Sequence, residues 1–210
     1  EGDELLLASY GGSYFMDDAS VSGSSFVGQY FQPSLPADTK SWRVTRVRIR
    51  AKRSGYADAT TRVQLRMANG TMPGDYVLEE RAMPESMLTT SYQWLDFSFT
   101  NAAGLLPGSA VCLVLAGTSS APSCDVRYQS LFAWPDNSQF VASNSGGANW
   151  YAPYSQSLSF YVYGTASTPS PVSYQYLLTA VRSTLRVGGD ARSRVQTSIQ
   201  VVNQPQIAGP

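Results

Sequence analysis

The chain contains no histidine in 210 residues, and that absence excludes a broad set of chemistries. Without an imidazole there is no Ser-His-Asp or Cys-His nucleophile, no two-histidine zinc helix and no 2-His-1-carboxylate iron centre. Charge is scarce as well: only 14% of residues carry one, with fifteen Lys and Arg against fifteen Asp and Glu. The zero net charge leaves no global pull toward nucleic acid or an anionic membrane. No apolar run is long enough to cross a bilayer. The start, Glu1-Gly2-Asp3-Glu4, is neither an initiator methionine nor a signal peptide and reads as a mature or trimmed chain, one from which a signal or a membrane anchor could have been removed. Motifs for a nucleophile elbow, a phosphate loop or a Cys-x-x-Cys pair are missing too. Asp96, Asp125 and Asp136 are the carboxylates available for glycoside chemistry, but each falls in a different element. The expectation is a protein that is not an enzyme and carries no cofactor or metal. A structural calcium at Asp17, Asp18, Ser20 and Ser22 is the one metal alternative, weighed against a simple Asx turn.

Cysteine is nearly absent. Cys112 and Cys124 flank an apolar run, Leu113 to Ala116, and a turn cluster, Gly117 to Pro122. An apolar strand, a turn and a return strand read as a hairpin. The two thiols then face each other, and a disulfide is expected. Two buried free thiols are the alternative.

What the chain does have is alternation. Arg43–Arg50, Arg62–Met67 and Gln93–Phe99 alternate apolar and polar with period two, whereas Ser109–Leu115 is apolar on both faces and Leu158–Tyr163 closes the series. Turn clusters separate these runs at Asn69-Gly70, Met72-Pro73-Gly74-Asp75, Asn101–Gly104, Leu106-Pro107-Gly108 and Ser143–Gly147. Many short strands punctuated in this way predict an all-β protein, an antiparallel jelly-roll β-sandwich. The expected organisation is an N-terminal strand segment (1–22), the sandwich (23–164), a Pro/Ser/Thr linker (165–174) and a C-terminal β-hairpin (175–210). An isolated hairpin is marginal in water, so the strand Leu5–Tyr10 is expected to join it in a small extra sheet.

Two sets of side chains stand out as candidate sites. Trp134, Asp136 and Asn137, together with Trp150, Tyr151 and Tyr154, fall in predicted loops. There, aromatic faces can stack on sugar rings while amides and carboxylates take the hydroxyls. The alternative for any one tryptophan, Trp42 and Trp94 included, is core packing. Arg46, Arg48 and Arg50 share one face of one strand, and Arg62 and Arg66 one face of the next. If those strands are neighbours they form a basic stripe suited to an anionic glycan, a phosphate or an acidic partner. The alternative is an ordinary solvated sheet face. Nucleic acid is not expected as a partner.

The path Gly28–Pro33, Val44–Ile49, Met72-Pro73-Gly74, Tyr92–Phe97, Leu106-Pro107-Gly108 and Tyr161–Gly164 resembles the choice-of-anchor domains, jelly-roll modules of bacterial secreted and surface proteins related in architecture to carbohydrate-binding modules. That resemblance implies an extracytoplasmic binding module with carbohydrate or other surface proteins as partners, and it assigns no catalytic residues. The C-terminal hairpin, Val181–Leu185 with Val195–Asn203, is similar to the last strands of pilin and pseudopilin heads. The alternative it implies is a filament or secretion-system subunit lacking its N-terminal helix.

Overall fold

A computed structural model describes residues 3–55, 59–169, 181–186 and 194–199. The described chain is all-β apart from one 3-10 turn at Glu85–Met87. Its strands are β1 (Leu5–Tyr10), β2 (Met16–Val21), β3 (Phe26–Phe31), β4 (Ser41–Lys52), β5 (Thr60–Asn69), β6 (Met72–Pro84), β7 (Gln93–Ser98), β8 (Val111–Gly117), β9 (Cys124–Gln129), β10 (Ser138–Ser143), β11 (Ser157–Leu158), β12 (Phe160–Ser167), β13 (Val181–Arg186) and β14 (Arg194–Ile199).

Two antiparallel sheets share one core. The five-stranded sheet runs β10-β3-β8-β5-β6; the seven-stranded sheet runs β1-β12-β4-β9-β11, with β7 beside β4 and β2 beside β9. Val27, Phe31, Leu65, Leu113 and Phe140 from the first meet Val47, Ile49, Val126, Leu158 and Phe160 from the second in a single buried cluster. From β2 to β5, and again from β6 to β11, each connection passes from one sheet to the other. Such crossing connections are shared by Greek-key and jelly-roll sandwiches.

The alternating runs become strands for the expected reason: one face is apolar and one is wet. In β4, Trp42 and Val44 point inward, then Val47, Ile49 and Ala51 do. The change of parity comes from a bulge, because Tyr163 pairs with Arg46 and Gly164 with Val44, leaving Thr45 unmatched. Strand β8 is buried along its whole length, as its unbroken apolar run requires. Met72-Pro73-Gly74-Asp75 is not a turn but the start of β6. The correction has a physical reason: β6 is an edge strand, where proline's missing N–H costs no ladder bond.

The disulfide expectation is wrong. Cys112 and Cys124 are both free and buried, since β8 and β9 belong to different sheets and do not form a hairpin. Cys112 lies with Phe26, Val114 and Ala116 on the outer face of the five-stranded sheet, whereas Cys124 sits in the core between the sheets. Burial pushes both thiols up to about 12, so neither ionises near neutrality. We expect almost no reaction of the native chain with a thiol-specific reagent, and two thiols per chain once it is unfolded without reductant. One or none in the unfolded state would contradict the separation of β8 and β9.

The partner expected for the first strand also changes. β1 pairs with β12 from Leu5↔Gly164 to Tyr10↔Phe160, so the N-terminal segment is an integral edge of the seven-stranded sheet. The sheet absorbs it because β12 offers a free edge and Leu7 adds its side chain to the core. β13 and β14 pair with each other from Val181↔Ile199 to Arg186↔Arg194. The chain divides into two compact units, Glu1–Pro169 and Ser170–Pro210. The first three residues of the expected linker continue β12, and its part from 170 onward lies outside the described residues, as does the turn between β13 and β14.

Candidate functional site: an aromatic loop cluster

Three loops converge at one row of the seven-stranded sheet. Gln129 at the end of β9 faces Met16 at the start of β2 on one side and Ser157 at the start of β11 on the other. The loops before β2, after β9 and before β11 therefore emerge together. Gln129 is buried, and its side-chain amide donates to the Leu131 carbonyl at 2.7 Å. Ser130 donates its backbone N–H and its hydroxyl to Phe15 O, at 2.9 and 3.0 Å. Ala133 N–H donates to Ser155 O at 2.9 Å.

All four described non-glycine residues with left-handed backbone lie in these loops: Phe15, Phe132, Asn137 and Ser155, with φ between 47° and 58°. Such conformations are uncommon away from glycine, and they persist only where surrounding bonds over-determine them. Here they turn large apolar side chains outward. Phe132 and Phe15 are 64% and 58% exposed with ring centroids 5.5 Å apart, and Trp134 and Tyr154 are 60% and 80% exposed with rings perpendicular at 4.9 Å. The segment 130–135 carries a member of both pairs.

Trp134 and Tyr154 border an open groove of about 250 Å³ whose other lining includes Pro135, Pro153, Gln139, Ser155 and Gln156. Among the described residues, no ionisable acid or base lines it apart from the tyrosine hydroxyl. The side chains of Gln139, Ser155 and Gln156 make no hydrogen bond among the described residues, which leaves donors and acceptors beside two aromatic faces. Asp136 and Asn137 are exposed on the same loop.

The other expected members of this site go elsewhere. Trp150 is half-buried on the outer face of the five-stranded sheet, 6.4 Å from Phe26, because the Gly146-Gly147 turn folds it back; Gly147, at φ +88°, lies against the Phe26 ring. Tyr151 is exposed but forms a backbone bridge with Ala142 and does not line the groove. Trp42 is core, and Tyr128 stacks on Phe140 at 5.3 Å. Sequence reasoning missed Phe15, Leu131 and Phe132, which it had no ground to separate from core residues. The available signal was Pro135-Asp136-Asn137 directly after Leu131–Trp134, a punctuation that keeps the apolar run out of a central strand.

The expected basic stripe is divided. β4 and β5 are consecutive in the chain but lie in different sheets, so Arg46, Arg48 and Arg50 face away from one side of the sandwich and Arg62 and Arg66 from the other. On the first side the charge is matched: Arg46 bonds Glu4 and Asp96, each at 2.8 Å, and Arg48 bonds Asp96 at 2.9 Å. Arg50 lies 5.9 Å from the Tyr92 ring. The oxygen cluster considered for calcium is committed in the same way. Asp18 takes Lys52 at 2.7 Å and Arg127; burial opposes its ionisation, but these cations and Tyr92 hold its pKa down at about 2. Ser20 donates to Asp125 at 2.6 Å, and Asp96 is engaged by Arg46 and Arg48. No family model, curated protein or solved structure matches the chain.

Proposed function

We propose that this protein is a non-catalytic carbohydrate-binding module of the secreted or surface-associated kind, with a jelly-roll body that holds neutral saccharides at the loop cluster. The observation that carries the reading is the perpendicular Trp134–Tyr154 pair, exposed over an uncharged groove rimmed by the unengaged side chains of Gln139, Ser155 and Gln156. A pyranose presents a C–H face for stacking and a rim of hydroxyls for amides, and this groove offers both complements. The Phe15–Phe132 pair on the same segment extends the apolar surface, which suits a chain of rings better than a single one. The left-handed residues and their bonds hold the aromatics in place before ligand arrives, which lowers the entropic cost of binding.

The test is a panel of neutral oligosaccharides, comprising glucans, xylans, mannans and galactans, followed by titration of the best binder. Trp134→Ala and Tyr154→Ala should each weaken binding by about 1 kcal/mol or more and shift the unfolding free energy by no more than about 0.5 kcal/mol. A flat panel, or binding untouched by both substitutions, overturns the reading and leaves the filament-subunit alternative ahead.

A further inference from the structure

Outside the loop cluster, the outer face of the five-stranded sheet carries a second concavity, of about 310 Å³, lined by Phe26, Arg62, Gln64, Arg66, Ala116 and Thr118 together with Gly117. Its form follows from the register. Small residues lie along the end of β8, where Ala116 faces Arg62 on β5, while Phe26 on β3 rises on the other side. The result is a trough with an aromatic wall, an apolar floor and a guanidinium wall.

Arg66 is the unusual member. It is half-buried, and its Nε and Nη2 both donate to one neutral oxygen, Gln64 Oε1, at 2.9 and 2.7 Å. No carboxylate lies within ion-pairing distance of it among the described residues, and Nη1 has no partner there. Gln64 is buried and held in turn by Glu80, to which its amide donates at 2.9 Å. Glu80 also takes Arg62, at 3.5 Å. The trough therefore keeps one guanidinium with no carboxylate in contact among the described residues, Asp75 and Glu80 acting on it only through space. Carboxylates raise the pKa of Arg46 and Arg48. Burial lowers that of Arg66 and outweighs the opposing charges of Asp75 and Glu80, as expected for a cation withdrawn from water with no carboxylate in contact.

We propose that this trough binds an acidic sugar, with the ring carboxylate on Arg66 and the ring's C–H face against Phe26 and Ala116. A fork-shaped donor selects a planar carboxylate, and the apolar wall and floor favour a ring over a bare anion. The site is separate from the Trp134–Tyr154 groove and does not depend on it.

The experiment titrates the full chain with trigalacturonate, its methyl ester and inorganic phosphate. Trigalacturonate should bind, weaken with added salt, and lose about tenfold or more of its affinity in Arg66→Gln, the ordinary consequence of losing a charge-assisted fork. Ala116→Leu, which fills the floor and leaves Arg66 in place, should block binding too, and neither variant should alter neutral-glycan binding. The assignment is overturned if the methyl ester binds as well as the acid. It is overturned equally if phosphate binds as tightly as the sugar, or if both folded variants retain wild-type affinity.

Discussion

Replacing Glu79 with alanine should lower the unfolding free energy by about 3 to 5 kcal/mol, the range expected when a buried charge-assisted network loses its acceptor. Glu79 projects from β6 of the five-stranded sheet and is almost fully buried. One of its oxygens accepts the backbone N–H groups of Thr100, Asn101 and Ala102 at 2.9, 2.6 and 3.1 Å, and the other takes Arg81. These amides belong to the loop that follows β7 of the opposite sheet, and Ala102 in turn accepts from Val44 N–H at 3.0 Å. The carboxylate is thus a polar tie between the two layers. Burial raises its pKa, but the three amides and Arg81 outweigh that and hold it below the ordinary value of 4.5. A depressed folded pKa means that the contribution is fully present above the unfolded value and is lost as pH falls through the folded one. Glu79→Gln should also be destabilised, because its NH2 offers a donor where donors already converge. Its deficit relative to wild type should shrink below about pH 4.5. Denaturant unfolding from pH 7 to pH 3 reads both effects; a deficit that does not change with pH would contradict the network.

The second large effect belongs to Trp42, whose alanine variant should lose about 3 to 5 kcal/mol. It is 2% exposed, the bulkiest of the fully buried side chains, and its Nε1–H donates to the Leu106 carbonyl at 2.9 Å. Truncation leaves a cavity and takes away one of the two hydrogen bonds to the Leu106 carbonyl, which keeps that from Ser109 N–H at 3.0 Å. Trp134→Ala removes the same atoms from an exposed position and should cost almost nothing in stability. The pair of measurements separates a core tryptophan from a displayed one; equal losses would place Trp134 in the core.

Residues that alternate were legible in the sequence, and residues whose role depends on which sheet a strand joins were not. β4, β5 and β7 followed from period-two patterning, and β8 from its unbroken apolar run. The bulge at Thr45 left no trace in that pattern, since two polar residues in a row also occur at strand ends. An apolar run, a turn and a second run look alike whether the chain returns beside itself or crosses to the facing sheet, so Cys112 and Cys124 were misread. The arginine stripe failed for the same reason, as β4 and β5 part company. Pro73-Gly74 resembled a turn because edge position is a property of the sheet. At the candidate site, Trp134 and Tyr154 were legible because prolines flank them in segments without alternation. Phe15 and Phe132 were not, because their exposure follows from left-handed backbone that only the assembled loops impose.

In the proposed function, Trp134 and Tyr154 form a displayed saccharide platform and the other tryptophans do not touch ligand. The most direct measurement is an NMR titration of the 15N-labelled chain with the best neutral oligosaccharide, following the four indole N–H signals. The Trp134 signal should shift to saturation, while Trp42, bonded to Leu106, and Trp150, packed on Phe26, should hold their positions. Saturating shifts at Trp150 or Trp94 with Trp134 unmoved would contradict that platform.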